Sequence, residues 1–235
     1  SAAEVDYPAM RAMHEAGSEI VKGTMKEADM VQNLGAKPAR WGKIGVPPVW
    51  PETLDYSDAV FRRRSKRNFV NRAVSGEQMG ALLQTLCARD AGELESEYGR
   101  FVAAGFLAKQ VENMAKGFYL LDPSQEEVGL VAEGAYTEKM TRVCLDQMWL
   151  ANAAVHFLFL ANLDLVDRIR GARGYRYAML TAGRLGQRLY VASTAMGLGC
   201  CGIGAFYDGE AAELLDLNEN SRLLYLVAVG VVKRM

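Results

Sequence analysis

Apolar positions recur along this chain with two distinct periods, and the changes between them mark out the elements. Ser75 followed by Gln78 is a helix-start signal, and Met79, Leu82, Leu83 and Leu86 then form one apolar stripe. That spacing predicts a helix of about 13 residues. Ala154-Val-His-Phe-Leu-Phe-Leu-Ala161 is a continuous apolar run, the pattern of a strand covered on both faces. From Tyr175 to Met196 the helical period returns. Ala178, Ala182, Leu185, Leu189, Ala192 and Met196 follow alternating steps of four and three. At 1.5 Å per residue this helix spans about 33 Å, the width of a small domain.

A second stripe runs beside the first: Met179, Gly183, Gly186, Tyr190, Ser193 and Gly197. Mostly small, these residues let another backbone approach closely. Two readings fit: a central core helix buried on two sides, or a helix whose second stripe meets another subunit. Elsewhere the pattern predicts a short helix over Asp55 to Arg64 and a pair of strands within Ala108 to Leu121. Helical spacing follows over Glu126 to Met148, with Gly134 as a break point. A strand near Cys200 to Phe206, a helix from Asp208 to Leu215 and a strand from Leu223 to Val229 complete the body. Before Asp55 the signal is weaker. Ala2 to Val31 fits one or two short helices, and Gly35 to Pro51, with four of the chain's six prolines, reads as an extended arm. The organisation expected is a helical segment and arm over residues 1–54 and a body over residues 55–235.

At 235 residues, with 50% hydrophobic and 23% charged residues, the composition is that of a globular chain and excludes general disorder. Net charge is -1, so no overall field holds nucleic acid or an anionic membrane. The longest apolar stretch, Met148 to Leu163, is interrupted by Asn152 and His156 and falls short of the roughly 20 residues that span a bilayer. A soluble protein is expected, with neither membrane nor nucleic acid as partner. Cys87, Cys144, Cys200 and Cys201 lack Cys-x-x-Cys spacing, which fits a reduced, cytoplasmic setting. His14 and His156 alone cannot build a histidine-rich metal centre, and no metal is expected.

Two segments carry candidate chemistry. Arg62, Arg63, Arg64, Lys66 and Arg67 put five cations in six positions around Ser65. Repulsion at that density calls for solvent or an anion. A phosphate fits, because arginine forks grip its oxygens while a serine hydroxyl and backbone N–H groups add donors; a solvated basic surface and a nucleic-acid patch are the other readings. Gly197-Leu-Gly-Cys-Cys-Gly-Ile-Gly-Ala-Phe206 lacks the Gly-x-Gly-x-x-Gly spacing of a dinucleotide fingerprint. Its glycines suit a helix stop with tight packing, or a backbone whose N–H groups address a flat ligand. His156 in its apolar run reads as a buried core histidine, and Cys200 and Cys201 as small buried hydrophobes. No Ser-His-Asp arrangement or carboxylate pair stands out.

The blocks Arg63-Arg-Ser-Lys-Arg-Asn-Phe69, Tyr175-Arg-Tyr-Ala-Met-Leu-Thr-Ala-Gly-Arg-Leu-Gly-Gln187, Gly197 to Asp208 and Leu224-Tyr-Leu-Val-Ala-Val-Gly230, in this order and spacing, resemble the nitroreductase superfamily. Within it the chain looks most like the SagB/thiazole-oxidase type of dehydrogenase. The resemblance implies an α+β fold: a mainly antiparallel central sheet wrapped by helices, in an intertwined homodimer with FMN at the interface. It assigns the phosphate to Arg63, Ser65 and Arg67 with Arg64 close by, and the flavin ring's N5 and O4 edge to the backbone of Ile203, Gly204 and Ala205. It further implies an enzyme that takes a hydride from NAD(P)H at flavin N5 and passes electrons to a second small substrate by a ping-pong mechanism.

There are departures. The superfamily's Pro-Ser-Ala-Gly block appears only as Val102-Ala-Ala-Gly105, Arg184 stands where related enzymes often carry histidine, and only Lys233 and Arg234 are counterparts of the C-terminal basic residues. They open an alternative, a flavin-binding or flavin-storing protein that has lost catalysis.

Overall fold

The computed structural model describes residues 5–18, 29–51, 53–88 and 101–233. Its centre is a sheet of seven strands: β1 (Arg40–Lys43), β2 (Ala103–Ala108), β3 (Gly117–Asp122), β4 (Glu127–Glu133), β5 (Val155–Asn162), β6 (Gly199–Ile203) and β7 (Ser221–Gly230). Their order across the sheet is β1-β4-β3-β2-β5-β7-β6, and every neighbouring pair is antiparallel. The continuous apolar run became β5, buried along all eight of its residues between β2 and β7. Phe157 and Phe159 are fully buried there, each worth about 1.5–3 kcal/mol relative to exposure.

Seven α-helices surround the sheet among the described residues: α1 (Pro8–Ala16), α2 (Tyr56–Arg62), α3 (Gly76–Cys87), α4 (Tyr136–Val143), α5 (Leu163–Arg170), α6 (Gly174–Ala195) and α7 (Asp208–Leu214). Ser75 caps α3 with a reciprocal pair: its hydroxyl accepts from the Gln78 N–H, and the Gln78 side chain accepts from its own N–H. Met79, Leu82, Leu83 and Leu86 are all buried. The 22-residue α6 lies over β6 and β7 and is flanked by α2, α3 and α5. Ala178, Ala182, Leu189, Ala192 and Met196 are buried, and Gly197, at φ +71, ends the helix in a conformation other residues resist.

The second stripe of α6 is not a single surface. Gly186 and Ser193 are buried within their own chain, Gly186 against Tyr225 of β7, so the expectation that these two face another subunit is overturned. Small size was the right signal, but the backbone's close neighbour is a sheet tyrosine. Only the N-terminal part stays open: Met179 is exposed, and nothing lies within 4 Å of where a Gly183 side chain would stand.

Two further expectations change, and one helix lies where the pattern predicted none. The helical spacing over 126–148 divides into a strand and a helix, β4 and α4, joined at Gly134 with φ +148. β4 is held on both sides, by β3 and by β1, and ladder bonds there outweigh a helical period over so short a stretch. The pair of strands expected within 108–121 is β2 and β3, but β2 runs earlier, over Ala103–Ala108, so Ala103 to Gly105 is buried sheet. α5 had no sequence expectation, although Asn162 caps it by accepting from the Leu165 N–H, with Asp164 in the first turn and Arg168 and Arg170 in the last.

The arm is extended, as its prolines suggested, and β1 fastens it to the sheet through β4. Gly129 makes this possible: a side chain there would come within 2.4 Å of Pro38. The N-terminal helical expectation is met by α1, while residues 2–4 and 19–28 lie outside the described residues.

Candidate functional site

The basic block begins where α2 stops. Asp55 caps α2 by accepting from the Asp58 N–H, and at Arg63 the backbone turns extended. The segment then lies against β6: Ser65 bridges Cys200 in parallel, and the Lys66 N–H donates to the Cys200 carbonyl at 2.8 Å. The crowding of cations is resolved by spreading them. Arg62 pairs with Asp58 at 3.0 Å, and Arg63 and Arg64 donate to the Val60 and Phe61 carbonyls at the C-terminal end of α2, where positive charge offsets the helix dipole. Arg67 leans away, its guanidinium 5.5 Å from the Trp149 ring.

Arg63, Arg64 and Ser65 share a pocket of about 410 Å³ with Gln187 and Tyr190 of α6 and Tyr225 of β7. That volume is in the range of small-ligand and cofactor sites. Arg67 is not among its lining residues, so three of the four residues expected at the phosphate come together and the fourth does not. Gln187 and Tyr190 are three apart, hence neighbours on one helix face. Neither they nor Tyr225 were singled out as site residues from sequence. The available signal was Tyr190, a lone hydroxyl-bearing aromatic in a stripe of small residues.

Tyr190 is the junction of the site. Its hydroxyl accepts from the Gly202 N–H at 2.7 Å and lies 2.8 Å from Ser65 Oγ, 125 residues away in sequence. Burial pushes its pKa up, against the opposing effect of bonds to Ser65 and Gly202, and burial pushes Tyr225 up to about 12. Both hydroxyls therefore stay neutral beside the arginines, as an anionic ligand requires. Everything the pocket offers an anion is a cation or a neutral hydrogen-bonding group.

From the pocket the outer edge of β6 leads away. Cys200 C=O and Gly202 N–H both point outward, to Lys66 and Tyr190, and Gly204 follows directly after the end of β6. Cys200 to Ile203 covers about 10 Å at 3.3 Å per residue. Ile203 is buried, whereas Gly204 and Ala205 are exposed, and nothing stands within 4 Å of a Gly204 side-chain position. These three residues do not line the pocket; they continue from it as a bare backbone edge. An anion cradle at one end and a flat, uncluttered edge at the other suit a ligand with a phosphate tail and a planar head.

The remaining candidates fall outside this arrangement. Within Val102 to Gly105 no residue carries a hydroxyl, and Ala103 to Gly105 pairs with β5. Lys233 exchanges two backbone-directed bonds with Asn68, which brings the C-terminal segment beside the basic block; Arg234 lies outside the described residues. His156 donates from Nε2 to the Leu150 carbonyl, and burial lowers its pKa to about 4, so it is a neutral core residue. Burial raises the thiols of Cys87 and Cys144 to about 12 and raises Cys200 as well, which leaves them protonated and unreactive near neutrality. No cluster of metal-ligating side chains occurs among the described residues, and no helix there is long and apolar enough to cross a membrane.

Known proteins share this arrangement of chain. A provisionally named nitroreductase of Methanocaldococcus jannaschii is 25% identical over 187 residues, 77% of this chain and 93% of that protein. Among solved structures, a provisionally named nitroreductase of Anabaena variabilis superposes with a TM-score of 0.72 at 22% identity over 83% of this chain, which spans only 42% of the Anabaena chain. The NADPH:FMN oxidoreductase of Vibrio harveyi, solved with NAD+, has the same fold at a TM-score of 0.55 and 18% identity, over 76% of this chain and 69% of that one. The sequence model of the nitroreductase family matches residues 60–231, from the end of α2 through the basic block, the long helix and the glycine-rich edge. The chain belongs to the nitroreductase family of oxidoreductases.

Proposed function

We propose that the chain is an FMN-dependent oxidoreductase that draws reducing equivalents from NAD(P)H and delivers them to a second small substrate. The observation that carries this reading is the convergence of Arg63, Arg64, Ser65, Gln187 and Tyr190 on one pocket at the start of the bare β6 edge. Arg63, Arg64 and Ser65 would hold the phosphate by charge-assisted bonds. Arg67 would have to leave Trp149 to join them. The backbone of Ile203, Gly204 and Ala205 would lie along the ring, with the Gly204 N–H as a fixed donor. When bound, FMN supplies the two-electron chemistry. The Vibrio harveyi protein, an NADPH:FMN oxidoreductase by name, supports the choice of cofactor and reductant.

Reductant and acceptor then use the same opening in turn, since the sequence offers no second nucleotide fingerprint, and initial-rate lines at several acceptor concentrations should be parallel. A homodimer belongs to this reading: Tyr175, Met179 and Leu180 of α6 are exposed apolar residues beside the open Gly183. Use of NAD(P)H implies a cytoplasmic setting. The likeness to SagB-type dehydrogenases rests on the residue blocks, and we do not extend it to peptide-azoline oxidation.

A second reading, flavin binding without turnover, is favoured by one observation: Val102 to Gly105 is buried, its last three residues in β2, and offers the ring no hydroxyl. An absorbance spectrum of the purified protein incubated with FMN, followed by anaerobic NADH or NADPH, separates the two. We expect bound flavin that is bleached by reductant. Bound flavin that resists both nucleotides favours storage, and failure to retain FMN overturns both readings.

A further inference from the structure

We propose that Tyr190 is a positioning residue that turns the Ser65 hydroxyl proton toward the ligand phosphate, through a hydrogen-bond chain running from Gly202 through Tyr190 to Ser65. The inference rests on the phosphate assignment above and adds a residue and a direction to it.

The direction follows from what each group can do. The Gly202 N–H can only donate, and it donates to the Tyr190 oxygen at 2.7 Å. Tyr190 has one proton, and Ser65 Oγ stands 2.8 Å away to accept it. With its oxygen occupied in this way, Ser65 points its own proton elsewhere, into the pocket it shares with Arg63 and Arg64. The reverse arrangement, Ser65 donating to Tyr190, would aim a serine lone pair at an anion. A phosphate therefore selects the first direction, and each bond in the chain polarises the next. Burial holds the Tyr190 proton in place by raising its pKa.

The same contact fixes geometry. Gly202 is two residues before Gly204, so one hydroxyl ties the anion cradle to the strand that leads into the proposed ring-facing amide. The Tyr190 hydroxyl bonds both segments. The result is a preference for a phosphorylated ligand over its unphosphorylated analogue.

The test compares FMN with riboflavin, which lacks the phosphate, by flavin fluorescence titration of the full chain. In Tyr190→Phe the FMN Kd should rise about tenfold while that of riboflavin changes much less. Ser65→Ala should lower the same preference for FMN, Ser65→Thr should restore it, and Tyr190→Phe added to Ser65→Ala should change it no further. Equal losses for both ligands, or a full additional loss in the double variant, would overturn the chain as drawn. Should Tyr190→Phe not fold, the Ala and Thr variants of Ser65 still decide: a hydroxyl that makes no difference to the preference defeats the proposal. Parent protein that binds neither FMN nor inorganic phosphate defeats the phosphate assignment itself, a failure distinct from an unchanged preference in parent protein that binds FMN well.

Discussion

Gly186 of α6 lies so close to the ring of Tyr225 that a β-carbon there would stand 2.5 Å from Cε1. The hydroxyl end of the same tyrosine lies over Gly202, where a β-carbon would fall 1.7 Å away. One side chain thus fills notches in both the long helix and the β6 edge. Gly186→Leu must displace that ring, and it should cost about 1–3 kcal/mol or more in denaturant unfolding. The loss should not depend on protein concentration. Gly183→Leu has open space and gains helix propensity, so its single-chain stability should hold. A change in sedimentation for Gly183→Leu would place a partner on that face.

The spreading of the cations predicts unequal effects of charge reversal. Arg64→Glu should weaken FMN binding by a few kcal/mol, from loss of a charge-assisted bond and added repulsion. Arg67→Glu should weaken it less and should instead lose the Trp149 contact, worth about 0.5–1 kcal/mol of stability at an exposed site. Flavin content after gel filtration and thermal unfolding measure the two separately. An equal loss of flavin in both variants would show that Arg67 swings into the pocket.

Gly204 can be altered without a clash, which isolates its N–H. Gly204→Ala keeps the donor and should retain flavin and its reduction by NAD(P)H, whereas Gly204→Pro removes the donor and should lose reduction more than binding. Stopped-flow reduction rates compared with FMN affinity check the split.

His156 gives the protein a pH-dependent stability. Its pKa falls from the ordinary 6.5 to about 4 on burial, so between these values the unfolded chain holds more protons and stability rises with pH. The contribution is complete above about pH 6.5 and declines as pH drops toward 4, by at most about 3 kcal/mol. His156→Gln keeps a donor for the Leu150 carbonyl and removes the titration. Unfolding midpoints between pH 4 and 7 should flatten in that variant.

Much of this arrangement was legible in the sequence. The capping box at Ser75, the buried run of β5 and the long helix each depend on local patterns of one element, and those patterns survive in the structure. The basic block and the glycine-rich edge were also visible, because charge density and bare backbone leave marks in composition. What joins them was not. Tyr190 reaches Ser65 across 125 residues, and no periodicity reports which hydroxyl meets which. The stripe of small residues failed for a related reason: Gly186 announces that something approaches, but the tyrosine of a strand and the helix of another subunit demand the same spacing. The split of 126–148 was hidden because strand pairing to β1 depends on a segment more than eighty residues earlier.

β6 is an outer strand of the sheet, only five residues long, and its free side would be a template for strands of other molecules. Ser65 and Lys66 cover its first residues, the Tyr190 hydroxyl occupies the Gly202 amide, and the chain leaves the strand at Gly204 before a longer ladder can form. The groups that line the proposed anion pocket thus also cover the strand edge that would otherwise invite sheet-to-sheet pairing. Loosening them to alter ligand preference should cost solubility before it costs the fold.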